Sequence, residues 1–284
     1  IPQICELNET SRKAKEIRYA SYDITTDAKI DADNLERFLE RVALSKYKDN
    51  FILKGGMLVS AMVGLENRAT MDIDTTIRNF PLDAEHARNI VEEIAAVEID
   101  DNIRFSIKDV SNIMDEAEYG GVRLSLDAFL DTMKIPLKVD ISTGDAITPA
   151  EIEYRYKLMF EQRYISLWAY PLETVLAEKI ETVLSRGVLN TRLRDFYDLY
   201  ILQQTEMQID TGTLSAALAA TCRKRGSETV LPEYGRTLDE IYTSRVMRGL
   251  WESYQKKNSY AAGIAWETVM NAVRVLCGSC ITEK

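Results

Sequence analysis

Histidine is nearly missing from these 284 residues, and cysteine, proline and positive charge are all scarce. The one histidine, His86, lies in an acidic helical stretch, LDAEHARNIVEEI, and reads as a surface residue. Four cysteines, Cys5, Cys222, Cys277 and Cys280, are too few and too scattered for a disulfide scaffold. Cys277-Gly-Ser-Cys280 has zinc-like spacing, but a second Cys/His pair to complete four ligands is lacking. No apolar run approaches the ~20 residues of a membrane helix. The opening residues, IPQICELNET, show neither a basic nor an apolar leader region. A cytoplasmic protein without a membrane partner is therefore expected. Lys and Arg number 35 against 45 Asp and Glu, a net charge of −10. That balance argues against a general polyanion binder, and DNA is not expected as a partner. RNA stays open, because basic residues cluster at Arg12–Arg18, at Arg223-Lys224-Arg225 and between Arg245 and Lys257. Solvated helix faces explain such clusters more often than nucleic acid does.

What is present is ordinary globular material: 46% apolar and 28% charged residues. The length suffices for two domains with a sizeable core. There is no internal repeat and no low-complexity segment.

Residues 51–76, FILKGGMLVSAMVGLENRATMDIDTT, hold the densest chemistry. Phe51-Ile52-Leu53 reads as a short buried strand and Met57–Val63 as a helical segment. Between them stands Lys54-Gly55-Gly56, whose paired glycines are entropically unfavourable inside either element. If Met71–Asp74 is a strand, Met71 and Ile73 share one face, and Thr70, Asp72, Asp74 and Thr76 share the other. Two carboxylates on one strand face repel, and a divalent cation is the simplest group to sit between them. Alone, an Asp-x-Asp is usually a solvated edge and a Gly-Gly usually a turn. In the order strand, Gly-Gly, helix, Asp-x-Asp strand, they offer backbone N–H groups to an anion and carboxylates to its metal. That order describes a nucleoside triphosphate site with magnesium.

Residues 9–21, 31–48 and 82–97 read as helices, and 103–110 and 121–127 as strands. The segment 134–142, KIPLKVDIS, alternates cleanly, placing Ile135, Leu137, Val139 and Ile141 on one face and Lys138, Asp140 and Ser142 on the other. Thr148-Pro149 breaks the strand pattern, and beyond Ile165-Ser-Leu-Trp the chain reads as nearly all helix. In the helix begun by Pro171 and stopped by Gly187, Lys179 and Arg186 lie inside the apolar stripe. A lysine there either snorkels to water or meets an anion. If unpaired, it could be removed without loss of stability. Asp195 and Asp198, on a helix apolar on both sides, need partners, for which Lys179, Arg186, Arg192 and Arg194 are candidates. A structural salt-bridge network is the plain alternative to a functional one.

Taken together, Lys54-Gly55-Gly56, Arg68-x-Thr70-x-Asp72-Ile-Asp74, Lys138-Val-Asp140-Ile, Glu178-Lys179 with Arg186, and Arg194-Asp195-Phe-Tyr-Asp198-Leu resemble the AbiE-type (AbiEii-like) toxin nucleotidyltransferases. These belong to the DNA polymerase β-like nucleotidyltransferase superfamily, many of whose members have Gly-Ser where this chain has Gly55-Gly56. The resemblance implies an α+β fold: a mixed-sheet nucleotidyltransferase core over 1–147 and a mainly helical domain over 148–284. It implies that Asp72, Asp74 and Asp140 hold two magnesium ions, with manganese as a substitute. Lys179 and Asp195 join them as catalytic residues. Lys54, Gly55, Gly56, Arg68, Thr70, Lys179 and Arg186 are expected on the nucleotide side. The implied reaction moves NMP from an NTP to an RNA acceptor, the 3′ end of tRNA, within an abortive-infection or toxin–antitoxin system. A cognate antitoxin is then a candidate partner. Transfer to a protein hydroxyl is the alternative acceptor chemistry, and a non-catalytic nucleotide-binding module the alternative class. The three intact acidic positions speak against the last.

Overall fold

The computed structural model describes residues 26–113, 121–130, 133–159 and 161–281; the helix expected over 9–21 and the Arg12–Arg18 cluster lie outside them. The first described helix, α1 (Thr26–Leu44), leads into β1 (Phe51–Lys54), α2 (Gly55–Val63), β2 (Asp72–Ile77) and α3 (Ala84–Ala95). Then follow β3 (Ile103–Ile113), β4 (Gly121–Leu130), β5 (Met133–Thr143), β6 (Ile152–Lys157) and β7 (Tyr164–Ala169). The remainder is helical: α4 (Leu172–Arg186), α5 (Leu193–Gln203), α6 (Thr211–Arg225), α7 (Tyr234–Thr243), α8 (Arg245–Lys257) and α9 (Trp266–Cys280). This is an α+β architecture, as expected.

The seven strands form one mixed sheet in the order β3-β4-β5-β2-β1-β7-β6. The central strands β5, β2, β1 and β7 are joined by β2–β5 and β1–β7 parallel pairs around an antiparallel β1–β2 pair. On β5 the alternation read from the sequence is realised: Ile135, Leu137, Val139 and Ile141 are buried while Lys138 is exposed. The sheet runs on past residue 147, because β6 and β7 continue it beyond β1. The uninterrupted helical part starts at Leu172.

Helix α1 buries far more than one stripe. Leu35, Phe38, Leu39 and Val42 join the core, and Asp33, Glu36, Arg37, Glu40 and Arg41 are buried too. Their charges are answered across the fold: Arg37 pairs with Asp33, Glu40 and Glu161, Arg41 with Asp101, and Arg163 with Glu40. Glu36 accepts the Met159 N–H with both carboxylate oxygens, at 2.8 and 3.0 Å. Burial pushes its pKa up to about 8.

In the helical part α4 packs on α5 and α6, and α5 on α9. Aromatic rings fill the joints, with Tyr197 against Tyr254 and Tyr260, and Trp251 between Tyr254 and Trp266. Cys277 and Cys280 are buried in α9, where burial raises the Cys280 thiol to about 12, so their spacing serves packing. His86 is exposed, and Asp83 caps α3 by accepting its N–H. Among the described residues no helix is long and apolar enough to cross a membrane.

Candidate active site

The site is built on the turn from β1 into α2. Gly55 has φ +62°, and a Cβ there would lie 2.1 Å from Asp74 Oδ2. At Gly56 a Cβ would lie 2.7 Å from Thr70 Oγ1 and 2.9 Å from the Arg68 guanidinium. Glycine is favoured at the two positions for different reasons: a left-handed backbone at the first and a close approach of side chains at the second. Lys54 gives α2 no side-chain cap, and the Gly56 N–H donates to Asp74 Oδ2 at 3.1 Å. The carboxylate thus sits where an anion at a helix N-terminus would.

Strand register gathers the acids. Asp74 lies opposite Asp140 across the parallel β2–β5 pair, with Asp72 two residues earlier on the same face. Burial first, and then the nearby Asp140 and Asp72, raise the Asp74 pKa, against the pull of the Gly56 N–H. Asp140 meets Arg123 across the antiparallel β4–β5 pair, and Arg123 Nε and Nη2 donate to its two oxygens at 2.8 and 2.6 Å.

A second wall comes from α4 and α5. Lys179 Nζ donates to Asp198 Oδ2 at 2.7 Å and to Asp195 Oδ1 at 3.0 Å. Arg68 approaches Asp198 from the other side, with Nε 3.0 Å from Oδ1 and Nη2 3.3 Å from Oδ2. Arg192 makes an ion pair with Asp195 at 3.2 Å. Burial works to raise the Asp198 pKa, yet Lys179 and Arg68 outweigh it and hold the group below its ordinary value. The Lys179 pKa is raised because Asp198 and Asp195 overcome its burial. Lys179 is therefore paired, and the expectation that an unpaired lysine could be removed without loss does not apply. The α4–α5 packing brings the lysine to both aspartates, and spacing along one helix cannot show that.

A third group lies on the floor. Lys54 Nζ donates to Asp145 Oδ2 at 2.5 Å and Ser142 Oγ at 2.7 Å, and the Tyr170 hydroxyl also donates to Asp145, at 2.6 Å.

These walls enclose a cavity of about 650 Å³. Asp72, Asp74, Asp140, Lys179, Asp195, Lys54, Gly55, Gly56, Arg68, Thr70 and Arg186 all line it. So do residues that the sequence reading left without a role in the site: Arg123, Ser142, Asp145, Arg225 and Tyr254. Two of these arginines are engaged within the fold. Arg68, expected on the nucleotide side, is fully buried and bonded to Asp198 and the Ala69 carbonyl. Arg225 is no outlying surface charge, since its guanidinium donates to Glu181 and Thr182 inside the cavity wall. An alternation count on GVRLSLD places Arg123 on a polar face, but only the strand register puts it on Asp140.

The donor set suits a hard divalent cation, being all carboxylate oxygen. Among the described residues, however, no trio of acidic, histidine or cysteine side chains is gathered closely enough to hold a metal. Arg123 donates to both oxygens of Asp140, and the Gly56 N–H to one oxygen of Asp74. Asp72, Asp74 and Asp140 are the residues that would hold such a cation.

The family model for the nucleotidyl transferase AbiEii toxin of type IV toxin–antitoxin systems matches residues 37–272. The chain belongs to this family. As an AbiEii nucleotidyltransferase it is a transferase, and membership implies an NTP substrate and an antitoxin partner. Among solved structures, JHP933 from Helicobacter pylori is similar at 14% identity, covering 90% of this chain and 92% of that one, with a TM-score of 0.55. A candidate nucleotidyltransferase from H. pylori is similar at 14% identity, covering 89% and 96%, with a TM-score of 0.51. At that identity the likeness is one of fold, and it extends over nearly the whole AbiEii chain. No curated protein matches the sequence.

Proposed function

We propose that this AbiEii protein transfers a nucleoside monophosphate from an NTP to an RNA hydroxyl, the 3′ end of tRNA, in a magnesium-dependent reaction. The observation that carries the reading is the convergence in one cavity of a Gly-Gly helix start, three strand-borne carboxylates and a buried lysine. Asp72 and Asp74, with Asp140 from the neighbouring strand, would hold magnesium, which supplies charge neutralisation and activation of the acceptor hydroxyl when bound. The protein's own part is positioning and charge. The Asp74 carboxylate is aimed by the Gly56 N–H. Lys179 faces the cavity as a point charge for the triphosphate, its ammonium held in place by Asp195 and Asp198.

Acceptor binding rests on charge geography. With a net charge of −10, RNA can be met only by a local basic face. Arg192 and Arg194 are exposed on the cavity rim with Arg186 beside them. Phosphate contacts of that kind make binding steeply salt-dependent. The test is incubation with each labelled NTP, magnesium and total tRNA, followed by mapping of the label. Label at a tRNA 3′ end is the expected result. Labelled protein with unlabelled tRNA, where an NTP demonstrably binds, would replace this acceptor with a protein hydroxyl.

A further inference from the structure

Three carboxylates share one face of the sheet, and the group that answers Asp140 in this structure is a side chain. Arg123 makes a two-pronged hydrogen bond to Asp140, at 2.8 and 2.6 Å. Asp72 and Asp74 add to the field on its guanidinium. Arg123 and Asp140 are held opposite each other by the β4–β5 register, so the contact is built into the backbone. The arginine side chain is nevertheless 41% exposed, whereas the Asp140 side chain is only 18% exposed. The carboxylate is thus fixed in the cavity, and the guanidinium has open space to leave by.

A carboxylate gripped on both oxygens by one guanidinium keeps a lone pair on each, but its chelating edge and its charge are already answered by the arginine. We propose that Arg123 is a positioning residue that acts as a surrogate cation on Asp140 and surrenders that carboxylate to an incoming divalent ion. Loading of the site is then an exchange, one cation for another. Arg123 sets the concentration at which the exchange occurs, so a site of three acids stays compact in the absence of metal. The inference rests on the magnesium-dependent transfer proposed above.

The experiment is a manganese titration followed by electron paramagnetic resonance, on wild type, Arg123→Ala, Asp140→Asn and the double variant. Arg123→Ala is expected to bind Mn²⁺ roughly fivefold more tightly, the scale of a half-exposed charged pair. That gain should vanish in the Asp140→Asn background, because Arg123 acts through that carboxylate. Arg123→Lys, which keeps the charge and loses the two-pronged bond, should fall between wild type and Arg123→Ala. It carries the same cycle if the alanine variant does not fold. An unchanged affinity in Arg123→Ala overturns the proposal, and so does an equal gain with and without Asp140, which would mark a general charge effect. If none of the four proteins binds Mn²⁺, the metal-dependent reading itself fails and the exchange with it.

Discussion

Asp198 is the residue whose removal should be felt most. It is completely buried, and it answers two cations at once: Arg68, 2% exposed, and Lys179, 11% exposed. Asp198→Ala leaves both without that partner. Breaking a buried ion pair by deleting one member costs about 3–5 kcal/mol, because the remaining charge stays desolvated. Lys179 retains Asp195, which favours the lower half of that range. For a chain this long each kcal/mol shifts the melting temperature by roughly 2–4 °C, so a fall on the order of 10 °C is expected. Differential scanning calorimetry at neutral pH measures it directly. The pH dependence provides a second reading. The folded pKa of Asp198 is depressed, so its stabilisation is present above its unfolded value and is lost as pH falls through the folded one. The acid limb of the stability curve should therefore flatten in Asp198→Ala. Lys179→Ala should cost less, since Asp198 keeps Arg68 and Asp195 keeps Arg192. A melting temperature for Asp198→Ala within 2 °C or so of wild type would refute the claim that this network ties the two walls together.

Asp74→Asn should lower nucleotide transfer at least ~100-fold while holding or raising the melting temperature, because it removes a buried charge beside two others; near-normal transfer in magnesium would undo the site assignment. Gly56→Ser, which introduces the residue common elsewhere in the superfamily, should destabilise by about 1–3 kcal/mol through crowding of Thr70 and Arg68, and an unaltered urea midpoint with full activity would show that those side chains yield freely. Glu36 has a folded pKa raised from 4.5 to about 8, so wild type should lose stability as pH climbs between those values. Glu36→Gln should flatten that slope in urea titrations across the range, and an identical slope in both proteins would contradict the assignment.

Much of the sheet was legible because its strands bury one face and the side-chain period is two. Asp140 on β5 and Asp72 and Asp74 on β2 were placed on polar faces by counting alone. Two strands, β6 and β7, were not. The β6 sequence, IEYRYK, keeps a largely exposed face at the sheet edge, so its pattern carries little burial signal. In α1 some of the charged residues are buried against partners 60 or more positions away, such as Asp101 and Arg163, and helical periodicity cannot announce them. The same holds in the site. Lys179, Asp195 and Asp198 were each conspicuous, but Arg68 as the fourth member lies 130 residues from Asp198. The Arg123–Asp140 bond likewise needed the strand register, which no local pattern supplies.

The Arg68–Asp198 bond also has a consequence for when activity can arise during synthesis. A nascent chain that has reached the end of β7 possesses every strand and all three carboxylates, yet lacks Lys179 and the aspartates that aim it. Arg68 at that moment has no acid to close upon. The cavity therefore cannot be completed until α5 has emerged and docked. In this member of the AbiEii family, a copy cut short before Asp198 keeps the three carboxylates but not the acid that closes upon Arg68.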